Sequence, residues 1–187
     1  VEYDPIEKSA KIIPLSLLAT ESQYTIYVKG GTGGVEDLAG NTLDAHPADD
    51  TKTDFSNSFT TSNQTDNLAP TIISANGDEW SLAITFSELM NSSKPGESKF
   101  SASVLNPANY TLKWGDPNTV DSNGTLIDLS GKNFSYDPAQ NTVFIEGIGL
   151  DISQISGKDY WVQVSNVTDL SGNVIDPSGN TFQMPIN

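Results

Sequence analysis

Apolar side chains recur at every second position in several short stretches of this chain. Tyr24, Ile26 and Val28 alternate with Thr25, Tyr27 and Lys29, and Tyr160, Val162 and Val164 alternate with Trp161, Gln163 and Ser165. The same alternation runs through Trp80, Leu82, Ile84 and Phe86, through Val143 and Ile145, and through Tyr110, Leu112 and Trp114. A period of two puts alternate side chains on opposite faces of a strand, so each stretch predicts a half-buried β-strand. Pro70 opens a further apolar stretch, at a strand entry where no ladder donor is needed. Residues 58–61 and 181–184 read as closing strands. No window of about 11 residues holds a helical period; only short helical turns are expected, near residues 15–19, 94–103 and 152–155. Short strands joined by Gly, Asn and Asp turns predict an all-β fold, an antiparallel β-sandwich.

The pattern occurs twice. Tyr3-Asp4-Pro5, the strand at Tyr24 and Asp37-Leu38-Ala39-Gly40-Asn41 are followed in the same order by Tyr136-Asp137-Pro138, the strand at Tyr160 and Asp169-Leu170-Ser171-Gly172-Asn173. The offsets are 133, 136 and 132 residues (3 to 136, 24 to 160, 37 to 169). Ordered landmarks at a near-constant offset indicate an internal repeat. Residues 68–136 have no counterpart before Tyr3, so the first domain is expected to be incomplete. The organisation expected is the C-terminal half of a sandwich over 1–62, a polar linker over 63–67, and a complete sandwich over 68–187. A fragment of a longer chain is the favoured explanation, with strand addition from a neighbour as an alternative.

Composition narrows the function. The chain of 187 residues carries nine lysines, no arginine and 24 acids, a net charge of −15. Binding to nucleic acid or to an anionic membrane needs a basic surface, so both are excluded as expectations. An acidic surface attracts hard cations such as Ca²⁺. There is no cysteine, and no run approaches the ~18 apolar residues of a membrane span.

The repeated Asp-Leu-x-Gly-Asn reads first as a turn: Asp accepts backbone N–H groups, Gly supplies positive φ, and Leu38 and Leu170 are expected to tuck beneath it. A calcium loop built from Asp37, Asn41 and Asp44, or Asp169, Asn173 and Asp176, is the alternative, though the spacing is not that of an EF-hand. The densest oxygen-ligand clusters are Asp49 and Asp50 with Asp54, and Asp66 with Asn67. A calcium ion there, at the domain junction, would stiffen an array.

No catalytic residue is expected. His46 is the only histidine and lies in a polar loop, where nothing holds a base in place. One histidine and no cysteine leave no zinc set, and Gly30-Gly31-Thr32-Gly33-Gly34 lacks the Lys-Ser/Thr of a P-loop. Trp80 and Trp114 share parity with core residues, so a core role is expected for both. Trp161 has the opposite parity and is the candidate for an exposed ligand-stacking aromatic. Six Asn-x-Ser/Thr sequons occur, at Asn63, Asn91, Asn109, Asn123, Asn133 and Asn166.

The order Phe86-Ser87-Glu88, Asn109-Tyr110-Thr111-Leu112 and Asp169 to Asn173, together with the earlier Asp37 to Asn41 and Ser58-Phe59-Thr60-Thr61, resembles the bacterial Ig-like domains of S-layer proteins. Leu89 departs from that pattern, where proline is common, as does the long acidic loop over 116–131. The resemblance implies tandem Ig-like sandwiches, the first incomplete, arrayed outside a bacterial cell, with neighbouring repeats or subunits as partners and no catalytic residue. The functional expectation is therefore a structural module for spacing and self-assembly. The alternative is an adhesin or a carbohydrate-binding appendage of a larger secreted protein, with cell-wall glycan as ligand.

Overall fold

The computed structural model describes every residue except Leu15 and residues 49–53, and for Glu2 the backbone alone. Strands dominate the chain. In order they are β1 (Glu2–Asp4), β2 (Ser9–Lys11), β3 (Gln23–Val28), β4 (Phe55–Thr60), β5 (Ile72–Gly77), β6 (Ser81–Phe86), β7 (Tyr110–Gly115), β8 (Thr125–Leu126), β9 (Asn133–Asp137), β10 (Thr142–Glu146), β11 (Asp159–Val164) and β12 (Thr181–Pro185). A single turn of helix, α1 (Val120–Asn123), lies between β7 and β8. The chain divides into two compact units, Leu18–Thr65 and Asp66–Asn187, with Val1–Leu17 counted in the second.

Asp66–Asn187 forms an antiparallel sandwich. One sheet has the order β5-β6-β10-β9 and the other β12-β11-β7-β8. The alternation predicted from sequence is what the sheets bury. Leu82, Ile84 and Phe86 on β6 and Val143 and Ile145 on β10 point to one side. They meet Leu112 on β7 and Tyr160, Val162 and Val164 on β11 in a single core. Register follows this parity: Val162 stands opposite Leu112 and Phe182, and Ile145 opposite Leu82. A slip of one residue would turn each apolar set to solvent.

The hydroxyls of the buried Tyr110 and Tyr160 and of the half-buried Tyr136 are all hydrogen-bonded. Tyr110 Oη donates to Val104 O at 2.7 Å and Tyr160 Oη to Asp78 O at 2.7 Å. Tyr136 Oη accepts from Met90 N at 2.9 Å. Burial raises the Tyr110 and Tyr160 hydroxyl pKa values, which keeps them neutral donors.

Leu18–Thr65 contains β3 and β4, paired antiparallel with Tyr24 opposite Phe59 and the two rings stacked at 5.9 Å. Among its described residues no apolar side chain is buried. This pairing also fixes how the closing strands of the two repeats correspond. Tyr160 stands opposite Met184, so Phe59 corresponds to Met184 and not to Phe182.

Several local expectations are overturned. Trp80 is 61% exposed. Asp78 Oδ1 accepts from Trp80 N at 2.8 Å and from Ser81 N at 2.6 Å, so Trp80 belongs to a turn and strand parity begins only at Ser81. Leu38 is fully exposed and does not tuck under its turn; Leu170 is half-buried. Trp114 packs against the core as expected. Of the predicted helical turns, residues 100–102 form a 3-10 turn and residues 152–154 a hydrogen-bonded turn.

Candidate functional site

The repeated motif folds as the same corner twice. In the first copy Asp37 Oδ1 accepts from Ala39 N at 2.9 Å and Asn41 N at 2.8 Å, and Oδ2 from Asn41 Nδ2 at 2.8 Å. In the second, Asp169 Oδ1 accepts from Gly172 N at 2.6 Å and Asn173 N at 2.8 Å, and Oδ2 from Asn173 Nδ2 at 2.7 Å. Gly40 has φ +85° and Gly172 φ +97°, the left-handed region that disfavours a Cβ. Isolated bridges flank both corners at the same offset, Glu36 to Thr42 and Thr168 to Val174. The hydrogen bonds from Asn41 and its neighbours lower the Asp37 pKa.

The Tyr-Asp-Pro landmarks are equally matched. Asp4 pairs with Ser9 and Asp137 with Thr142, so both hairpin loops have the same length. Each loop ends on a left-handed residue, Lys8 at φ +53° and Asn141 at φ +52°. Each Asp accepts from the backbone N–H two residues on, at 2.8 Å.

One difference between the corners has chemical consequences. Asp37 is exposed, whereas Asp169 is 2% exposed. The segment after β6 crosses to it: Met90 forms an isolated bridge with Asp169, and Asn91 N donates to Thr168 O at 2.9 Å. This crossing carries Glu88 to the corner. The stretch before β5 reaches it too, with Asn173 Nδ2 donating to Asp66 O at 3.1 Å and Ser171 Oγ to Asp66 Oδ2 at 3.3 Å. One carboxylate oxygen each of Asp66, Glu88 and Asp169 lies within 4.8 Å of the others. Desolvation pushes the Glu88 carboxyl up to about 7; the charges of Asp66 and Asp169, and hydrogen bonds to them, add to the rise. Between about pH 4.5 and 7 Glu88 therefore keeps a proton that an ordinary glutamate has lost.

This grouping differs from the metal set expected from sequence. Asp66 belongs to it, but its partners Glu88 and Asp169 are distant in sequence. Asp54 is engaged elsewhere, accepting from the Tyr27 hydroxyl and from Gly30 N at 2.8 Å, and both bonds lower its pKa. Asp49 and Asp50 lie outside the described residues. Asp44 and Asp176 spend an oxygen on the N–H groups of His46 and Ser178, as turn residues do. Calcium takes six to eight oxygens. The triad offers three side chains, and Asp169 already accepts three N–H groups, so a cation there would depend on water or carbonyl ligands for the rest.

The aromatic candidates separate as well. Trp161 is half-buried on the outer face of β11, with Lys113 Nζ 5.0 Å from its ring centroid. A cation–π contact of this kind occupies the face a ligand would stack on. Trp80 is the more exposed ring, and sequence parity hid it. His46 is exposed. Two sequons are structural: Asn91 and Asn109 are buried, and Asn109 Nδ2 donates to Ser101 O and Ser103 O.

No helix among the described residues is long and apolar enough to cross a membrane. No protein-family model matches the chain, and no curated protein matches it significantly.

Proposed function

We propose that this chain is a structural repeat region of a bacterial cell-surface protein, of the S-layer or cell-wall type, whose Ig-like sandwich modules space and self-associate outside the cell. The observation that supports this is the duplicated corner, with the same acceptor oxygens, the same glycine conformation and the same flanking bridges in both copies. Duplicated rigid corners on strand scaffolds suit a stacked module, in which each unit presents the same geometry to its neighbours. The test is immunogold labelling of intact host cells, combined with electron microscopy of the purified chain. Labelling at the envelope and ordered sheets or filaments are expected; an intracellular signal with a monodisperse monomer would refute the reading. Within this proposal Asp66, Glu88 and Asp169 are the place to look for calcium. A melting temperature unmoved by EGTA at pH 8 would remove calcium from it.

One observation favours the second reading, a glycan-binding appendage: the exposure of Trp80. Binding on a glycan array that is lost in Trp80→Ala and kept in Trp161→Ala would support it.

A further inference from the structure

We propose that β3 is a strand acceptor, and that its free edge takes up, antiparallel, a strand of the β7 type from a further segment of the same kind as residues 66–131. The proposal stands on the equivalence of the two repeats and is independent of the surface-protein reading.

That equivalence continues outward from the corners into the strands. Leu43 N donates to Val35 O at 2.8 Å, and Ile175 N, at the same offset, to Val167 O at 2.9 Å. Both corners follow a strand of one pattern, Tyr24-x-Ile26-x-Val28 in the first copy and Tyr160-x-Val162-x-Val164 in the second. Both strands pair on one side with the closing strand of their repeat, β3 with β4 and β11 with β12.

On the other side they differ. β11 pairs with β7 along its whole length, Tyr160 opposite Trp114, Val162 opposite Leu112 and Val164 opposite Tyr110. Among the described residues β3 has no second strand. The faces differ accordingly. Tyr160, Val162 and Val164 are fully buried, while Tyr24, Ile26 and Val28 are half-buried. A six-residue edge with no ladder partner among the described residues and an apolar inner face is an acceptor for strand addition.

The second repeat specifies what fits. The incoming strand places apolar side chains opposite Tyr24, Ile26 and Val28, as β7 does opposite Tyr160, Val162 and Val164. The chain's own β7 is already paired with β11, so the occupant is another segment of this kind. Edge-to-edge pairing of β3 with β3 of a second copy is disfavoured by the net charge of −15, because like-charged chains repel.

The test uses the full 187-residue chain and a synthetic peptide of residues 107–116, which spans β7, with hydrogen exchange read by mass spectrometry. Saturating peptide is expected to slow exchange across Gln23–Val28 roughly tenfold or more. The same peptide carrying Leu112→Asp is expected to have no effect; altering the peptide leaves the folding of the full chain untouched. Three results would overturn the proposal: unchanged exchange in residues 23–28, slowing confined to residues 159–164 because the peptide has displaced β7, and concentration-dependent slowing of residues 23–28 in the chain alone. The last would assign the edge to a second copy.

Discussion

Asp37 and Asp169 each accept three N–H groups, two of them from Asn41 or Asn173, and they differ mainly in burial. Replacing Asp169 by Ala leaves buried N–H groups without an acceptor, at about 1–3 kcal/mol for each buried group. The Asp169→Ala loss is therefore expected at about 3 kcal/mol, and the Asp37→Ala loss below about 1 kcal/mol, because water replaces the exposed acceptor. Urea denaturation of both variants checks the ratio. Glu88 gives a pH signature. Its folded pKa of about 7 lies above the ordinary 4.5, so the unfolded chain loses this proton first as pH rises. Stability contributed by protonated Glu88 is complete below about 4.5, falls between 4.5 and 7, and is gone above 7. Glu88→Gln removes the ionisation. The variant is expected to be more stable than the parent at pH 8, by roughly 1 kcal/mol once solvent screening of this half-exposed group is allowed for. The gain should vanish near pH 4, and melting temperatures across pH 4 to 8 would show it.

At the level of the element, β3 and β11 carry nearly the same pattern yet differ in what lies against them. Val162→Ala removes methyl groups from a filled core, at a cost of about 2 kcal/mol. Ile26→Ala removes more carbon but from a half-buried position on a strand that, among the described residues, pairs with β4 alone, and its effect is expected below about 1 kcal/mol. The unfolding free energy of the unit that holds each residue, read by hydrogen exchange of its strands, tests this ordering, and a larger loss in Ile26→Ala would mean that β3 is covered. The comparison also shows what sequence conveys. Alternation identified the long strands and the parity of Leu82, Ile84, Val162 and Val164, because burying one face of a sheet forces a period of two. It misplaced Trp80, since parity does not reveal that an Asx turn at Asp78 precedes the strand. β8, two residues long, and α1, one turn, are too short to show a period. Asp66 was legible as a candidate because it sits beside Asn67 in a polar linker. Asp169 was legible only as part of a local loop with Asn173 and Asp176, and Glu88 not at all, because their approach to Asp66 depends on a strand crossing that brings residues 88 and 169 together.

For the whole molecule the decisive contrast is where apolar surface is buried. The core residues of the described chain all lie between Ile72 and Met184, whereas Leu18–Thr65 holds Phe55 and Phe59, both 43% exposed, on the two-stranded sheet β3-β4. Such a pair is marginal in water, while the eight-stranded sandwich unfolds as a cooperative unit. The two should therefore open at different free energies. The three tryptophans, Trp80, Trp114 and Trp161, all belong to Asp66–Asn187, so tryptophan emission reports that unit alone. Urea titration is expected to give one sharp emission transition. Under native conditions, amides of residues 23–28 and 55–60 should exchange at least tenfold faster than those of residues 82–86 and 160–164. Equal protection in β3 and β11 would contradict the reading of β3 as a strand with an open edge. Fast exchange in β3 that slows on adding the β7 peptide would tie the missing stability of the first repeat to the strand it lacks.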